Sequence, residues 1–463
     1  MANGRARIIG RPRRAKCNYR APSSRALMGI FIHSFLLKIN LLNAMTFLRR
    51  NRNIISSVLF AAGALTVAGC GGGSGTDSLG ATQHAQGGKH GTTSTSTSTT
   101  STTTSTTSAD QQRTLALHIA DFILAQQDVN GAIPDEAGSD TANEDSNMEY
   151  ALIGLAAAYE ATRDGKYLTG LEKGIAWLAA REEMVDPTWK GSWRYVYSMT
   201  PPYDPVPTSP GAGVADVRGV DATSALFVYL LYRDRQLTGS TALVTQYGAN
   251  ARAALDFVLA HNINPSGFSG SSWQQATGST TWTFWPYEYA ADQGDVYLGM
   301  NGGALLFPDN PQYAAKAQFL RANAPTQFFL TSEQRYAVGR DPDSPLDTDL
   351  GIDTIFPQGY LPWVFGSNTQ SASSVQWLIN QTHADGSINS PSTDPAYALS
   401  NVILLLGAGT QGIQPPSTTL PWIVNNVLDT TSYGLHDYPS SPDEETNVSG
   451  FAVAALLGAK AFP

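Results

Sequence analysis

One pattern recurs six times between Gln111 and Phe462. In each copy a helix-like stretch is followed by a loop rich in acidic residues, glycine, proline and aromatics. A second, more apolar helix-like stretch then follows. These second stretches are Met148–Arg163, Thr223–Gln236, Val296–Phe307, Ile352–Phe365, Ala396–Leu406 and Asn447–Ala461. Because each hairpin must bury an apolar face against its neighbours, the repeat predicts a closed ring of helical hairpins.

The first stretches of the repeats differ from the second in their periodicity. They are amphipathic, with apolar residues returning every three or four positions. They cover Gln111–Gln127, Lys166–Glu182, Ala242–His261, Gln312–Phe329, Ser371–Asn380 and Pro421–Leu428. A helix that is apolar on all sides is buried, so the second set is predicted to be inside and the amphipathic set outside. This strict alternation predicts an all-α fold, an (α/α)6 barrel.

Carboxylates introduce each of the apolar stretches. They are Glu144 and Asp145, Asp221, Asp292 and Asp295, Asp349 and Asp353, Asp394, and Glu444 and Glu445. Because the apolar stretches of a ring of hairpins all begin at the same end, we expect these acids to gather around one groove.

The first hundred residues have a different composition from the rest. Residues 1–69 contain twelve Lys and Arg and no Asp or Glu. Within them, residues 45–69 have the organisation of a secretory signal: Met45 is followed by Arg49, Arg50 and Arg52, then by an apolar run that ends near Val67. Residues 1–44 are expected to be an upstream extension that arises from a mis-assigned start.

The end of this signal, Val67-Ala68-Gly69-Cys70, resembles the lipobox of bacterial lipoproteins. The resemblance implies cleavage before Cys70, lipidation of that cysteine, and a location at the cell envelope on the periplasmic or extracellular face. The alternative is a plain signal peptide with a chance cysteine. Residues 70–109 are rich in Gly, Ser and Thr and predict a flexible tether, because they cannot bury enough apolar surface to order themselves. Residues 110–463 form the predicted catalytic domain.

Charge and composition exclude several kinds of partner and cofactor. After residue 69 the chain carries 17 basic and 38 acidic residues, a net charge of −21, which argues against nucleic acid as a partner. No cysteine follows Cys70, so a thiolate-ligated zinc site is excluded from the main domain. Histidine is sparse and has no HExxH spacing. We therefore expect no cofactor, no catalytic metal and a monomeric domain.

The organisation from Gln111 to Pro463 resembles the six-hairpin glycosidases, which include family 8 glycoside hydrolases and related polysaccharide lyases. Glu144-x4-Glu149-Tyr150-Ala151-Leu152 is similar to the entrance of the first inner helix in family 8, although its spacing differs. Asp221-Ala222-Thr223-Ser224-Ala225-Leu226 resembles a second acidic entrance of the group. The Asp-rich motifs of terpene cyclases, which share the toroid, are missing from the sequence.

The resemblance implies hydrolysis by two carboxyl groups, one protonated and one acting as base or nucleophile. The candidate catalytic residues are Glu144, Asp145, Glu149, Asp221, Asp292 and Asp295. A pair such as Glu144 and Asp221 would have to face each other across the groove. The alternative for each acid is a helix cap or a solvated surface position, since acids favour helix N-termini.

Two long loops are rich in aromatic residues, which bury the C–H faces of sugars. The candidate substrate-binding residues are Trp189, Trp193, Tyr195, Trp273, Trp282, Trp285 and Tyr287. Their alternative role is to pack the loops onto the barrel. Arg194, Arg218, Arg335 and Arg340 could bind an acidic sugar or pair with nearby acids.

The sequence thus predicts a lipid-anchored hydrolase of a polysaccharide or oligosaccharide. One alternative is a lyase of the same fold, in which the base would be a tyrosine or histidine: Tyr150, Tyr297, Tyr397, His383 or His436. The other alternative is a glycan-binding envelope protein without catalysis.

Overall fold

The computed structural model describes residues 108–208, 213–389 and 395–462. The predicted signal, Cys70 and nearly all of the tether lie outside the described residues, and so does Asp394. None of the described helices is both long enough and apolar enough to cross a membrane.

Twelve α-helices make up about half of the described residues. In chain order they are α1 Ala109–Gln126, α2 Asn147–Thr162, α3 Gly165–Ala179, α4 Asp221–Thr238, α5 Ala242–Phe257, α6 Ala290–Leu306, α7 Pro311–Gln327, α8 Phe356–Phe365, α9 Thr369–Asn380, α10 Ala398–Gln411, α11 Thr419–Asn426 and α12 Thr446–Leu456. Short helical turns cover Glu144–Ser146, Val258–Asn262 and Ile352–Thr354.

The even-numbered helices form the inner ring. Each packs against the next, and α12 packs against α2, so the ring closes. The odd-numbered helices lie outside. The helices α1, α3, α5, α7 and α9 each contact both inner helices beside them, and α11 contacts α10. The predicted alternation, and with it the (α/α)6 barrel, is confirmed.

Burial explains this division. In α2 all residues from Met148 to Ala158 are buried, so no side of that part of the helix faces water. Outer helix α3 instead buries one stripe, which includes Leu171, Ile175 and Leu178.

The inner helices α2 and α12 cross at a pair of glycines. A Cβ added to Gly450 would lie 2.2 Å from the carbonyl oxygen of Tyr150, and one added to Gly154 would lie 2.7 Å from the Cα of Gly450. Only glycine permits two backbones to approach this closely. The narrow ring therefore depends on small residues at this crossing.

All strands of the described residues lie in the loops that lead from an outer helix to the following inner helix. The strands are β1 Thr141–Ala142, β2 Tyr197–Ser198, β3 Val214–Arg218, β4 Ser272–Ala276, β5 Trp282–Trp285, β6 Glu288–Tyr289, β7 Phe329–Leu330, β8 Arg335–Tyr336, β9 Gly339–Arg340, β10 Leu435–His436 and β11 Glu444–Glu445. The β3, β4 and β5 strands form an antiparallel sheet. The remaining links, from inner to next outer helix, are short. The end of the ring at which the inner helices begin is called the mouth below.

Several predicted helix bounds differ from the structure, mostly at the mouth. The helices predicted to begin at Thr223 and Val296 begin at Asp221 and Ala290, so their introducing acids lie inside α4 and α6. The last inner helix ends at Leu456 rather than Ala461, and α10 continues to Gln411 rather than ending at Leu406. Ends fray and depend on capping, which hydrophobic periodicity does not encode.

Candidate functional site

Five carboxyl groups from α2, the turn before it, α4 and α6 converge at the mouth. Asp221, Glu149 and Asp295 are completely buried, whereas Asp145 is exposed and Asp292 is half-buried. Burial raises the pKa of Asp292 well above its usual range, and the charges of Asp221, Asp295 and Asp145 raise it further. The pKa of Asp221 is likewise raised by burial, and the charges of Asp295 and Asp145 add to that rise. These five acids therefore lie within electrostatic reach of one another.

Asp295 is held by two tyrosines from different inner helices. Tyr150 in α2 donates to its Oδ2 at 3.1 Å, and Tyr360 in α8 donates to its Oδ1. Burial raises the pKa of Asp295 to about 7, although the two hydrogen bonds oppose that rise. Burial and the charge of Asp295 hold the pKa of both tyrosines well above the usual range.

Glu149 lies in the first turn of α2 and has a single neutral partner. Asn143 Nδ2 donates to its Oε1 at 3.5 Å, and its Oε2 has no hydrogen-bond partner among the described residues. Burial raises the pKa of Glu149 to about 8, with smaller contributions from the charges of Asp295 and Asp135. A carboxyl group in this position is neutral near pH 7.

Asp221 is the first residue of α4, but it is not the helix cap. The cap is Val220, which offers no side-chain hydrogen bond. Asp221 Oδ1 accepts from the amide of Ala222 at 2.9 Å, and its Oδ2 has no partner among the residues that the structure describes. Burial raises its pKa well above the usual range. Helix capping alone does not account for an acid that is buried and left half-satisfied.

The turn before α2 holds Asp145 in an uncommon backbone conformation. Asn143, Asp145 and Ser146 all have left-handed backbones, with φ of 64°, 48° and 67°. Ser146 Oγ lies 2.9 Å from Thr223 Oγ1, which fastens the turn to α4. Left-handed residues other than glycine store strain, and such strain concentrates at functional sites. The surrounding protein raises the pKa of Asp145 although its side chain remains accessible, as in a concave cavity.

Glu144 belongs to a neighbouring group of acids rather than to the five. Its amide donates to Asp135 Oδ1 at 2.8 Å. Burial raises the pKa of Glu144 to about 8, and the charges of Asp135, Asp145 and Glu136 add to that rise. Asp135 itself is buried, with its pKa raised to about 6. The structure thus brings Asp221 together with Asp292, Asp295 and Asp145, and places Glu144 beside Asp135.

The other acidic entrances have varied surroundings. Asp353 precedes α8, and its charge raises the pKa of Tyr289 at the mouth. Asp349 lies in the loop before it. Glu445 is half-buried, and its pKa is raised well above the usual range by burial and by the charge of Asp437. Glu444 accepts a hydrogen bond from Ser432 Oγ at 2.6 Å.

The predicted aromatic residues fall on two faces of the β3–β4–β5 sheet. Trp273 pairs with Arg218 and Phe284, and Trp282 pairs with Gln275 two positions away, so these side chains share one face. Trp285 pairs with Ser272 and points to the other face.

The first face holds a packed cluster. The rings of Trp189, Trp273 and Trp282 meet edge to face, with centroids 5.5 and 5.7 Å from that of Trp189. The guanidinium of Arg218 lies 4.0 Å from the Trp189 ring centroid. Aromatic rings that satisfy one another in this way serve chiefly to fasten the loops together.

The second face is on the side of the acids. Trp285 contacts Tyr287 and Tyr289, with centroids 6.1 and 5.7 Å away. Burial raises the pKa of Tyr289 and of Tyr195. The charges of Asp353 and Asp292 add to the rise for Tyr289, and those of Asp145 and Glu144 add to it for Tyr195. Each tyrosine remains partly accessible. Trp285, Tyr287, Tyr289 and Tyr195 therefore border the acids.

Trp193 does not fit its predicted role in substrate binding. It is only 2% exposed, donates to the Leu178 carbonyl at 2.9 Å and packs on Phe227 of α4. A ring enclosed on both faces has no surface to offer a sugar, so Trp193 is a core residue.

Three of the four arginines suggested for an acidic sugar are paired with carboxylates. Arg194 bonds to Asp216, Arg335 to Glu333 at 2.7 Å and Arg340 to Glu288 at 2.9 Å. No lysine or arginine of the described residues forms an ion pair with any of the five mouth acids.

Sequence reasoning missed Tyr360, Asn143 and Tyr289 as parts of this site. Tyr360 lies in an apolar run, where a tyrosine resembles any other core aromatic. Asn143 could have been found from its position before two acids, because asparagine tolerates the left-handed backbone.

No protein-family model and no curated protein sequence matches this chain. Solved structures do resemble it. A wild-type glycosidase is 12% identical, with a TM-score of 0.52 over 77% of this chain and 98% of its own. A possible member of family GH105 from Salmonella enterica serovar Paratyphi A is 11% identical, with a TM-score of 0.52 over 76% and 94%. An unsaturated glucuronyl hydrolase variant with the oligosaccharide dGlcA-Glc-Rha-Glc is 13% identical, with a TM-score of 0.51 over 76% and 96%.

These proteins belong to the six-hairpin glycosidases, and their likeness to this chain confirms the predicted resemblance at the level of the fold.

Proposed function

We propose that the mouth hydrolyses glycosidic bonds of a polysaccharide or oligosaccharide, with Asp145 and Asp292 as the reacting carboxyl pair. The observation that carries the proposal is the convergence of five acids that have no basic partner in the described part of the chain. Of these five, only Asp145 and Asp292 are residues that are not fully buried. Glycoside hydrolysis needs two accessible carboxyl groups with different protonation states.

Asp292 is suited to donate the proton. Burial and three nearby charges raise its pKa well above the usual range, which favours the protonated form that can protonate the leaving oxygen. Asp145 is the less perturbed partner and is the candidate base or nucleophile. Asp221 and Asp295 are positioning residues in this scheme, because a negative charge on either one favours the protonated form of Asp292.

The aromatic border supplies binding surface beside this pair. Trp285, Tyr289 and Tyr195 present partly exposed rings on the side of the acids. Such rings stack on the apolar faces of sugars, while the acids bond their hydroxyls. That structural neighbours include glycosidases, one with glucose and another with an oligosaccharide, supports a glycan as the ligand class.

The lyase alternative has less support. A lyase needs a basic group to clamp the uronate and a tyrosine or histidine that can lose a proton. Tyr150 donates its hydrogen bond to Asp295, and its pKa is raised well above the usual range. It is therefore a poor base at the place where one is needed.

The test combines a glycan panel with two neutral substitutions. The protein is incubated with glycans while reducing ends and the absorbance of unsaturated products are followed. Reducing ends without unsaturation support hydrolysis, unsaturation supports the lyase, and binding without products supports the glycan-binding alternative. Asp292→Asn and Asp145→Asn should each lower turnover by about 10²- to 10⁴-fold, with far-UV circular dichroism unchanged.

Asp234→Asn is the matched control. Asp234 is also a buried acid of α4, with its pKa raised to about 6, but it lies roughly 20 Å along the helix from Asp221. It should keep full turnover. Full activity in both mouth variants would remove Asp145 and Asp292 from the catalytic roles.

We also propose export and anchoring through Cys70. The charged, apolar and small-residue segments in register before that cysteine support it. Mass spectrometry of the mature N-terminal peptide should find a lipid on Cys70, and Cys70→Ala should release the protein from membranes. An unmodified mature N-terminus at another residue would contradict it. A monomer is proposed as well, and light scattering of the solubilised protein tests it.

A further inference from the structure

The loop between α11 and α12 brings a histidine and two acids together, away from the five mouth acids. Leu428 is bridged to Leu435, and His436 is paired with Glu444 in the β10–β11 ladder. Asp429, His436 and Glu444 therefore come from three adjacent extended segments. One ligand atom from each lies within 4.8 Å of the others, and Asp429 Oδ2 is 4.0 Å from His436 Nε2.

We propose that Asp429, His436 and Glu444 bind a divalent cation of the Zn²⁺ class, which fastens this loop to the strand before α12. The site is independent of the proposed hydrolysis.

The local hydrogen bonds leave one oxygen of each carboxylate for a cation. Asp429 Oδ1 accepts from the amides of Thr431 and Ser432 at 2.6 and 2.9 Å, which leaves Oδ2 beside the imidazole. Glu444 Oε1 accepts from Ser432 Oγ, which leaves Oε2.

Two further observations concern the imidazole and the carboxylates. His436 Nδ1 has no hydrogen-bond partner among the described residues, so no hydrogen bond at that nitrogen prevents the ring from rotating to bind an ion. A Cβ added to Gly434 would lie 2.8 Å from Glu444 Cδ and Oε2, so a glycine there lets the carboxylate approach. No lysine or arginine in the described ranges pairs with Asp429 or Glu444, so two carboxylates share one imidazole.

The donor set selects the class of ion. Two carboxylates and an imidazole suit Zn²⁺ or Mn²⁺, whereas Ca²⁺ and Mg²⁺ take oxygen ligands only. Zinc ligands about 2.0–2.2 Å from the metal lie roughly 3.5 Å apart, so small side-chain rotations close the site, with water as the fourth ligand.

The proposed ion would lie beside β11, the strand that connects the last hairpin of the ring to the first. Ala137 N donates to the Glu444 carbonyl at 2.9 Å, and Thr446 N donates to the Asp135 carbonyl at 3.3 Å. The β11 strand thus joins the last hairpin to the first. A metal that held Asp429 and His436 against Glu444 would strengthen the closure of the ring.

Calorimetric titration of the tag-free full chain, after treatment with a chelator, tests the proposal. ZnCl₂ should bind with one equivalent and raise the Tm by roughly 3 °C at saturation. CoCl₂ should give visible absorption bands of a low-coordinate site. His436→Gln and Glu444→Gln should each weaken Zn²⁺ binding by about tenfold or more. Circular dichroism checks that both variants fold.

His383→Gln is the matched control. His383 follows the preceding outer helix in a similar turn, next to Asp385, whose Oδ1 accepts from the amide of Ser387 at 3.0 Å. This control should bind Zn²⁺ as the unmodified chain does. The proposal is overturned if the unmodified chain binds no Zn²⁺, if both folded variants bind it undiminished, or if Ca²⁺ binds in place of Zn²⁺.

Discussion

Replacing Glu149 by glutamine should make the protein more stable at alkaline pH. The residue is completely buried, and burial raises its pKa from the usual 4.5 to about 8. Between those values the folded protein keeps a proton that the unfolded chain has released. Unfolding therefore releases a proton, and the free energy of unfolding falls as pH rises from about 4.5 to about 8.

The size of the effect follows from that window. Each unit of pKa difference corresponds to about 1.4 kcal/mol, so Glu149 should cost the folded state about 3 kcal/mol between about pH 5 and about pH 8. Glutamine keeps the side-chain length and can still accept from Asn143 Nδ2, but it has no proton to lose. The variant should lack this part of the pH dependence, while the contributions of the other mouth acids remain.

Guanidinium unfolding at about pH 5 and about pH 8 gives the change in the free energy of unfolding between the two pH values. This change is compared between Glu149→Gln and the unmodified chain. Asp110→Asn, at an exposed position in the first turn of α1, is the control and should follow the unmodified chain. Equal loss of stability by Glu149→Gln and the unmodified chain would refute the argument, because it would mean that Glu149 is already ionised and solvated in the folded state.

Three further predictions concern the neighbours of the mouth acids. Tyr360→Phe removes one of the two hydrogen-bond donors to Asp295, so Asp295 holds its proton more firmly and its charge raises the pKa of Asp292 less. The alkaline limb of the kcat/KM profile should therefore move to lower pH by about half a unit. An unmoved limb would contradict this role. Trp285→Ala should raise KM about tenfold, whereas Trp273→Ala, on the opposite face of the sheet, should leave KM within about twofold. Equal effects on KM would mean that the face of the sheet on which a tryptophan lies does not determine substrate binding. Gly450→Ala should lower the free energy of unfolding by about 2–3 kcal/mol, whereas Gly409→Ala, where a Cβ meets open space, should raise it by about 0.5 kcal/mol. Guanidinium unfolding measures both changes. Similar changes in the two variants would contradict the close crossing of α2 and α12.

The barrel itself could be predicted from the sequence because the hydrophobic pattern of each helix determines whether that helix is buried. Apolar residues on all sides of Leu226–Leu231 and on one stripe of α3 give the inner and outer positions directly. The same reasoning gave which end of the ring gathers acids, because every inner helix begins there.

Which acids reach solvent could not be predicted, because that depends on how each helix is rotated and on what the loops cover. Asp292 and Asp295 are three residues apart on α6, yet one is half-buried and the other is fully buried between two tyrosines. The same holds for the aromatics: only the pairing register of β4 with β5 separates Trp273 from Trp285. Such long-range pairings leave no periodic signal in either segment.

The arrangement of the acids argues for a role beyond stability. Glu149, Asp221 and Asp295 are buried beside the two accessible acids. Burying each of these three carboxyl groups costs free energy that a glutamine, an asparagine or an apolar residue would avoid. A lysine or arginine would balance their charge, but none in the described chain forms an ion pair with them. What the arrangement does provide is a bias toward protonation at Asp292, to which burial and the charges of Asp221, Asp295 and Asp145 contribute. A site that needs a neutral acid near pH 7 requires that bias, and a merely structural mouth does not.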